Sequence, residues 1–135
     1  MLNKGVSQLN AKKYSEAIET LTKALEEEPE NPLIYYYRGF SYDKSGNADK
    51  ALADHKKAIE LKPDYAAAKN NLGTVYLATE DWDAAIVSFR EVLGDLLYAT
   101  PHFAYSNLGL AYFHKGDYRQ AEINYLKALD IEPNF

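Results

Sequence analysis

The sequence predicts an all-α fold, a right-handed α-solenoid of stacked antiparallel helix pairs. Three observations predict it. Glycines recur at Gly5, Gly39, Gly73 and Gly109, at steps of 34, 34 and 36 residues. Other positions keep step with them: Ala17, Ala51, Ala85 and Ala121 each lie twelve residues on, and Tyr42, Tyr76 and Tyr112 three residues on. Within a step, apolar residues fall at three- and four-residue spacing rather than in alternation, which is the signature of helices and not strands.

Each repeat then reads as a helix, a tight turn and a second helix. The first, residues 1–31, is partial and keeps Gly5, Tyr14, Ala17, Ala24 and Pro29. The second, 32–65, opens on Asn31-Pro32, a capping side chain before a proline suited to the first helical position. Tyr35, Arg38, Gly39 and Tyr42 mark its first helix, Gly46 its turn, and Ala51, His55, Ala58 and Ile59 its second helix. The third, 66–101, is expected to be capped by Asp64 and carries Leu72, Gly73, Tyr76, Trp82, Ala85 and Phe89. Its two extra residues fall within Leu93–Pro101, where Gly94 is expected to end the helix and Leu96, Leu97 and Tyr98 to pack a linker onto the stack. Thr100 is expected to cap the fourth repeat, 102–135, before Pro101. Small residues at the glycine and alanine positions let paired helices approach, and large aromatics fill the space beside them. One pair cannot bury its own apolar stripe, whereas stacked pairs can.

Composition narrows the function. The 135 residues are 47% hydrophobic and carry a net charge of −5. An acidic balance argues against nucleic acid, which needs a clustered basic surface. No apolar run reaches the length of a membrane span. The absence of cysteine removes thiol chemistry and leaves the compartment open. The glycines are spread a repeat apart, so they form no phosphate loop. His55, His102 and His114 occupy different positions of different repeats, without metal-ligand spacing. His55 stands where an apolar side chain is expected and reads as a partly buried packing residue; His114 reads as solvated or in contact with a partner. The run Glu26-Glu27-Glu28 reads as a solvated face at a helix end. No catalytic residue, cofactor or metal is expected.

The pattern resembles the tetratricopeptide repeat (TPR) family. The fourth repeat carries it most fully, in Tyr105, Leu108, Gly109, Tyr112, Gly116, Tyr118, Ala121, Tyr125, Ala128 and Pro133. The Leu-Tyr-x-x-Pro linker followed by Asn-Leu-Gly-Leu is similar to TPR pilotin lipoproteins of bacterial type IV pilus assembly. In the family's register Met1 falls at about the fourth position, so the chain is expected to be a segment of a longer array. Exposed repeat faces at both ends then predict self-association.

The resemblance implies a concave groove lined by the first helix of each pair, at the second, fifth, ninth and twelfth positions of a repeat. Those positions hold Leu2, Val6 and Leu9; Leu33, Tyr36, Phe40 and Asp43; Ala67, Asn70, Thr74 and Leu77; and Phe103, Ser106, Leu110 and Phe113. The candidate peptide-binding set is Tyr36, Phe40, Asp43, Asn70, Thr74, Leu77, Ser106, Leu110 and Phe113. Tyr36, Phe40, Leu110 and Phe113 are not demanded by the repeat pattern, and apolar residues on a face that should meet water point to a partner surface. The chaperone-tail clamp of some family members pairs Asn with Lys and Arg; here Asn70 and Asn71 lack basic neighbours at matching positions, Lys44 being the nearest. The expected partner is a protein or peptide with an apolar segment. The expected role is a non-catalytic interaction scaffold, the alternatives being the regulatory arm of a larger enzyme or a self-assembling structural module.

Overall fold

The computed structural model describes residues 1–94 and 100–134. The expected linker contacts of Leu96, Leu97 and Tyr98 lie outside the described residues. Eight helices are present among the described residues, with no strand: α1 (Leu2–Asn10), α2 (Tyr14–Glu27), α3 (Pro32–Lys44), α4 (Ala48–Leu61), α5 (Ala66–Ala78), α6 (Trp82–Leu93), α7 (Pro101–Lys115) and α8 (Tyr118–Ile131). They divide into two compact halves, Met1–Ala68 and Lys69–Phe135.

Local chemistry sets the helix ends. Asn31 caps α3 by accepting from the Leu33 amide at 3.0 Å, with Pro32 at the first helical position. Asn47, Asp81 and Asp117 cap α4, α6 and α8, each accepting from the amide three residues on. Two expected caps differ. Thr100 holds the capping position of α7, but its side chain makes no cap hydrogen bond. α5 begins at Ala66, so its capping position falls on Tyr65 rather than Asp64. Gly94 does follow the last residue of α6, in right-handed rather than left-handed conformation (φ −73°).

The turn inside each pair repeats one geometry. Lys12, Gly46, Glu80 and Gly116 occupy equivalent positions and all have positive φ, at 61°, 87°, 61° and 93°. The amide after each donates to the carbonyl five residues back: Lys13 to Gln8, Asn47 to Tyr42, Asp81 to Tyr76 and Asp117 to Tyr112, at 2.8–2.9 Å. This left-handed ending closes the helix with one residue and releases the next as a cap.

In the N-terminal half, Leu21 and Ala24 of α2 pack with Ile34 of α3, flanked by Leu2, Leu25 and Tyr37. A second cluster joins Ala58, Tyr65 and Ala68, with Tyr35, Tyr36 and Ile59 against it. In the C-terminal half Phe89, Val92, Ala104, Leu108 and Tyr112 belong to one larger core. Two features were not foreseen. Arg38 makes a bidentate pair with the buried Asp54, at 2.8 Å for both bonds. His55, expected to be partly buried, is wholly buried, and neither ring nitrogen has a hydrogen-bond partner. Desolvation pushes its pKa down from 6.5 to about 4.

Three outcomes follow. Among the four turn residues only Gly46 and Gly116 lack a side chain, and an added Cβ there would touch nothing within 4 Å. The effect of substitution is therefore conformational: Gly116→Ala should lower stability by about 1 kcal/mol and Glu80→Gly raise it by a similar amount, read from urea midpoints. At Gly73 the limit is space, since a Cβ would stand 2.7 Å from the fully buried Phe89 ring. Gly73→Ala should cost about 1–3 kcal/mol in the same measurement. For His55, the folded pKa lies below the unfolded one, so the unfolded chain binds the extra proton first. Stability is complete above about pH 6.5 and falls as pH drops toward 4, by about 3 kcal/mol in all. His55→Leu, which installs the residue found at the equivalent position 21, should remove that part of the loss when the two proteins are unfolded side by side across this range.

Candidate functional site

The candidate residues lie on the first helix of each pair, and helical spacing decides which of them share a face. On α3, Leu33, Tyr36, Phe40 and Asp43 follow one another at three- and four-residue steps. Leu33 is exposed, whereas Tyr36, Phe40 and Asp43 are half-buried. Tyr36 turns much of its ring inward: it packs 5.1 Å from the Tyr65 ring and 5.8 Å from His55. Tyr36, expected in the groove, thus also supports the hairpin. Phe40 carries the Lys44 ammonium 5.3 Å from its ring centroid. Burial raises the Asp43 carboxyl above its ordinary pKa, while Lys44 pulls it back. On α1, Leu9 is buried rather than open.

In the C-terminal half, Asn70 is half-buried, and its Oδ1 is enclosed without a hydrogen-bond partner. The Thr74 hydroxyl donates to the Asn71 carbonyl at 2.8 Å, which ties it to its own helix. Leu77 packs against the main core. On α7 the stripe is more open: Phe103 is 46% exposed, Leu110 38% and Phe113 50%. Half-buried Ser106 shares this register but lines a cavity with Tyr125, Ala128 and Leu129 of α8. Phe113 lies edge-on to His114 and Tyr118. His114 stacks flat on Trp82, with centroids 4.6 Å apart, and Lys115 beside it reaches Asp83 at 2.6 Å.

No group of three or more potential metal ligands occurs among the described residues. No helix among them is long and apolar enough to cross a membrane. The Arg38–Asp54 pair is the feature that sequence reasoning missed. A signal for it was present: the residue before the Leu21, His55, Phe89 and Tyr125 position is Thr20, Asp54, Ser88 or Asn124, and all four are buried polar residues.

Similarity to known proteins bears on the family and the fold. Patterns described as "Tetratricopeptide repeat" match residues 32–65 and 102–135, and others of that family match 11–46 and 66–94. Protein SGT1 homolog from Bos taurus is 36% identical over 75 residues, covering 56% of this chain and 22% of its own length. Hsp70-Hsp90 organizing protein 2 from Arabidopsis thaliana is 29% identical over 90 residues, covering 67% of this chain and 16% of its own length. The chain spans about a quarter or less of these curated relatives. Among solved structures, MamA superposes with a TM-score of 0.91 at 28% identity, covering 98% of this chain and 71% of that one. PilW, described as a widely conserved type IV pilus biogenesis factor, gives 0.89 at 26%, covering 98% and 61%. The resemblance to pilus-assembly TPR proteins is thus met in a solved structure as well as in the repeat pattern. With its family patterns matched along most of its length and an all-α solenoid fold shared with these structures, the chain belongs to the tetratricopeptide repeat family.

Proposed function

We propose that the chain is a non-catalytic protein–protein interaction scaffold that holds an apolar peptide or helix of a partner on the outward faces of its first helices. The observation that carries this reading is the α7 stripe, where Phe103, Leu110 and Phe113 stand well exposed at helical spacing. An aromatic and aliphatic row of this kind fits the anchor positions of an amphipathic helix or an extended apolar segment. Phe40 and Leu33 on α3 offer a second such row in the N-terminal half.

Relatives support partner binding in general terms, since their names describe organising and chaperone-linked proteins. A carboxylate clamp is disfavoured here. Lys44, the basic residue nearest to matching the clamp pattern, rests over the Phe40 ring. An apolar segment is the better match.

The test begins with affinity capture and mass spectrometry, followed by titration of the captured partner as a purified protein. Phe113→Ala and Leu110→Ala should each weaken binding, with about 2 kcal/mol lost at a central anchor. Tyr36→Ala is the poorer probe, because its ring also packs on Tyr65. Unchanged affinity in the Phe113/Leu110 double variant, with folding intact by circular dichroism, would place the partner elsewhere.

A further inference from the structure

Charge can be followed from repeat to repeat in one register, and the fourth repeat stands apart. In the second repeat Asp54 supplies a buried carboxylate that Arg38 meets with both its bonds. That guanidinium lies 5.8 Å from the Tyr35 ring centroid and 5.7 Å from that of Tyr42. In the fourth repeat Tyr105 and Tyr112 keep the two tyrosine registers, but Asn124 replaces Asp54 and Leu108 replaces Arg38. In the first repeat Glu16 and Glu19 line a cavity with Lys4 and Lys23, and Lys23 pairs with Glu19 at 3.3 Å. The registers of Glu16 and Glu19 hold Gln120 and Ile123 in the fourth. Each of these three carboxylates has therefore given way to a neutral side chain.

The cations have not gone with them. Lys127 stands in the register of Lys23, with its ammonium 5.6 Å from the Tyr105 ring centroid. Arg90 comes from α6, lies 5.5 Å from the Tyr112 ring centroid and hydrogen-bonds the hydroxyl of that tyrosine. A tyrosine face attracts a cation but returns no countercharge. Neither cation forms an ion pair among the described residues, in a chain where Asp and Glu number 20 against 15 Lys and Arg. Both line a cavity of about 300 Å³ whose lining includes no carboxylate. Residues of α6, α7 and α8 all line it, so it lies between helices rather than on the outer face of one. Asn124, 6% exposed, is part of the lining. One N–H of its amide goes to the Gln120 carbonyl at 2.8 Å, and the group carries two. A carboxylate entering here meets two cations and the second N–H, and supplies the charge that Asp54 supplies in the second repeat.

We propose that this cavity is a binding site for a carboxylate, carried by a small free acid or by an acidic side chain of a partner protein. None of its residues belongs to the groove positions, so it and the apolar stripe of α7 can fail separately. The probes are succinate and a short acetylated diglutamate peptide, each titrated into the nitrogen-15-labelled chain at pH 7. The shift of the Asn124 side-chain amide is followed by NMR, with ionic strength fixed at about 0.1 M. Saturable shifts are expected, with a dissociation constant of about 1–10 mM. Arg90→Gln should weaken binding about tenfold, through loss of a charge-assisted bond. Gln120→Glu, which restores the carboxylate of the first repeat, should weaken it by a similar factor. Phe113→Ala should leave it unchanged. If Arg90→Gln does not fold by circular dichroism, Lys127→Gln at the exposed end of α8 replaces it. Tighter binding of the peptide assigns the carboxylate to a partner protein and tighter binding of succinate to a free acid, and either upholds the site. No saturation by about 50 mM of either probe, or equal binding by the charge variants and wild type, overturns the proposal. Binding that appears only in Asp95→Asn overturns it too, by giving the cavity to a carboxylate of the chain itself.

Discussion

The structure depends on the closeness of two helices at one glycine in each pair. A Cβ at Gly5, Gly73 or Gly109 would come within 2.5–2.7 Å of Leu21, Phe89 or Tyr125, closer than two carbon atoms can stand. At Gly39 the nearest atom, His55 Cε1, is 3.0 Å away. The hydrogen of glycine therefore sets the spacing between helices, and the large side chain opposite is pressed onto bare backbone. Dispersion at this range is strong only because the fit is tight. The position opposite the glycine changes from Leu to His to Phe to Tyr without disturbing the pairing. The histidine sits in the loosest of the four contacts, and burial there keeps its ring neutral.

Once that spacing is fixed, each first helix divides into residues turned to its partner and residues turned away. The inward set is determined by packing, which is why Gly39, Ala104 and Leu108 are buried. The outward set is under no such demand, so its chemistry is free to serve recognition. Phe103, Leu110 and Phe113 occupy that free set on α7 as large apolar groups in contact with water, an arrangement that folding alone does not require. Tyr36 shows that the division is not absolute, since an aromatic of the outward set also leans onto Tyr65.

Fold class was legible because the period is long, repeated and tied to steric necessity: glycine, alanine and aromatic positions each answer a packing requirement. The tight turns were legible at Gly46 and Gly116 but not at Lys12 and Glu80, whose side chains conceal the same left-handed backbone. Caps were read correctly where an Asn precedes Pro32, and missed at Thr100 and Asp64, because a capping residue type does not ensure the geometry of a cap. At the candidate site the sequence indicated which residues share a helix face. It could not indicate how deeply each is sunk, because that depends on neighbours brought in from other helices, as Tyr65 is against Tyr36 and the core is against Leu77.

The buried polar position before each large core residue shows how far one geometry tolerates different chemistry. In the second repeat Asp54 meets Arg38, and the guanidinium satisfies both carboxylate oxygens. In the fourth repeat the same registers hold Asn124 and Leu108. The Asn124 amide donates to the Gln120 carbonyl at 2.8 Å, and the space beside Leu108 opens into a cavity lined also by Tyr105, Tyr112, Arg90 and Lys127. Arg90 arrives from α6 to hydrogen-bond the Tyr112 hydroxyl, so a guanidinium still lies against that tyrosine, supplied by a different helix. Removing a charge pair together is tolerable because no buried charge is left alone, whereas Asp54 without Arg38 would be an unpaired carboxylate in the core. The helix spacing set at the glycines is what lets both solutions occupy one register, and it leaves the repeats alike in backbone and distinct in the surfaces they present.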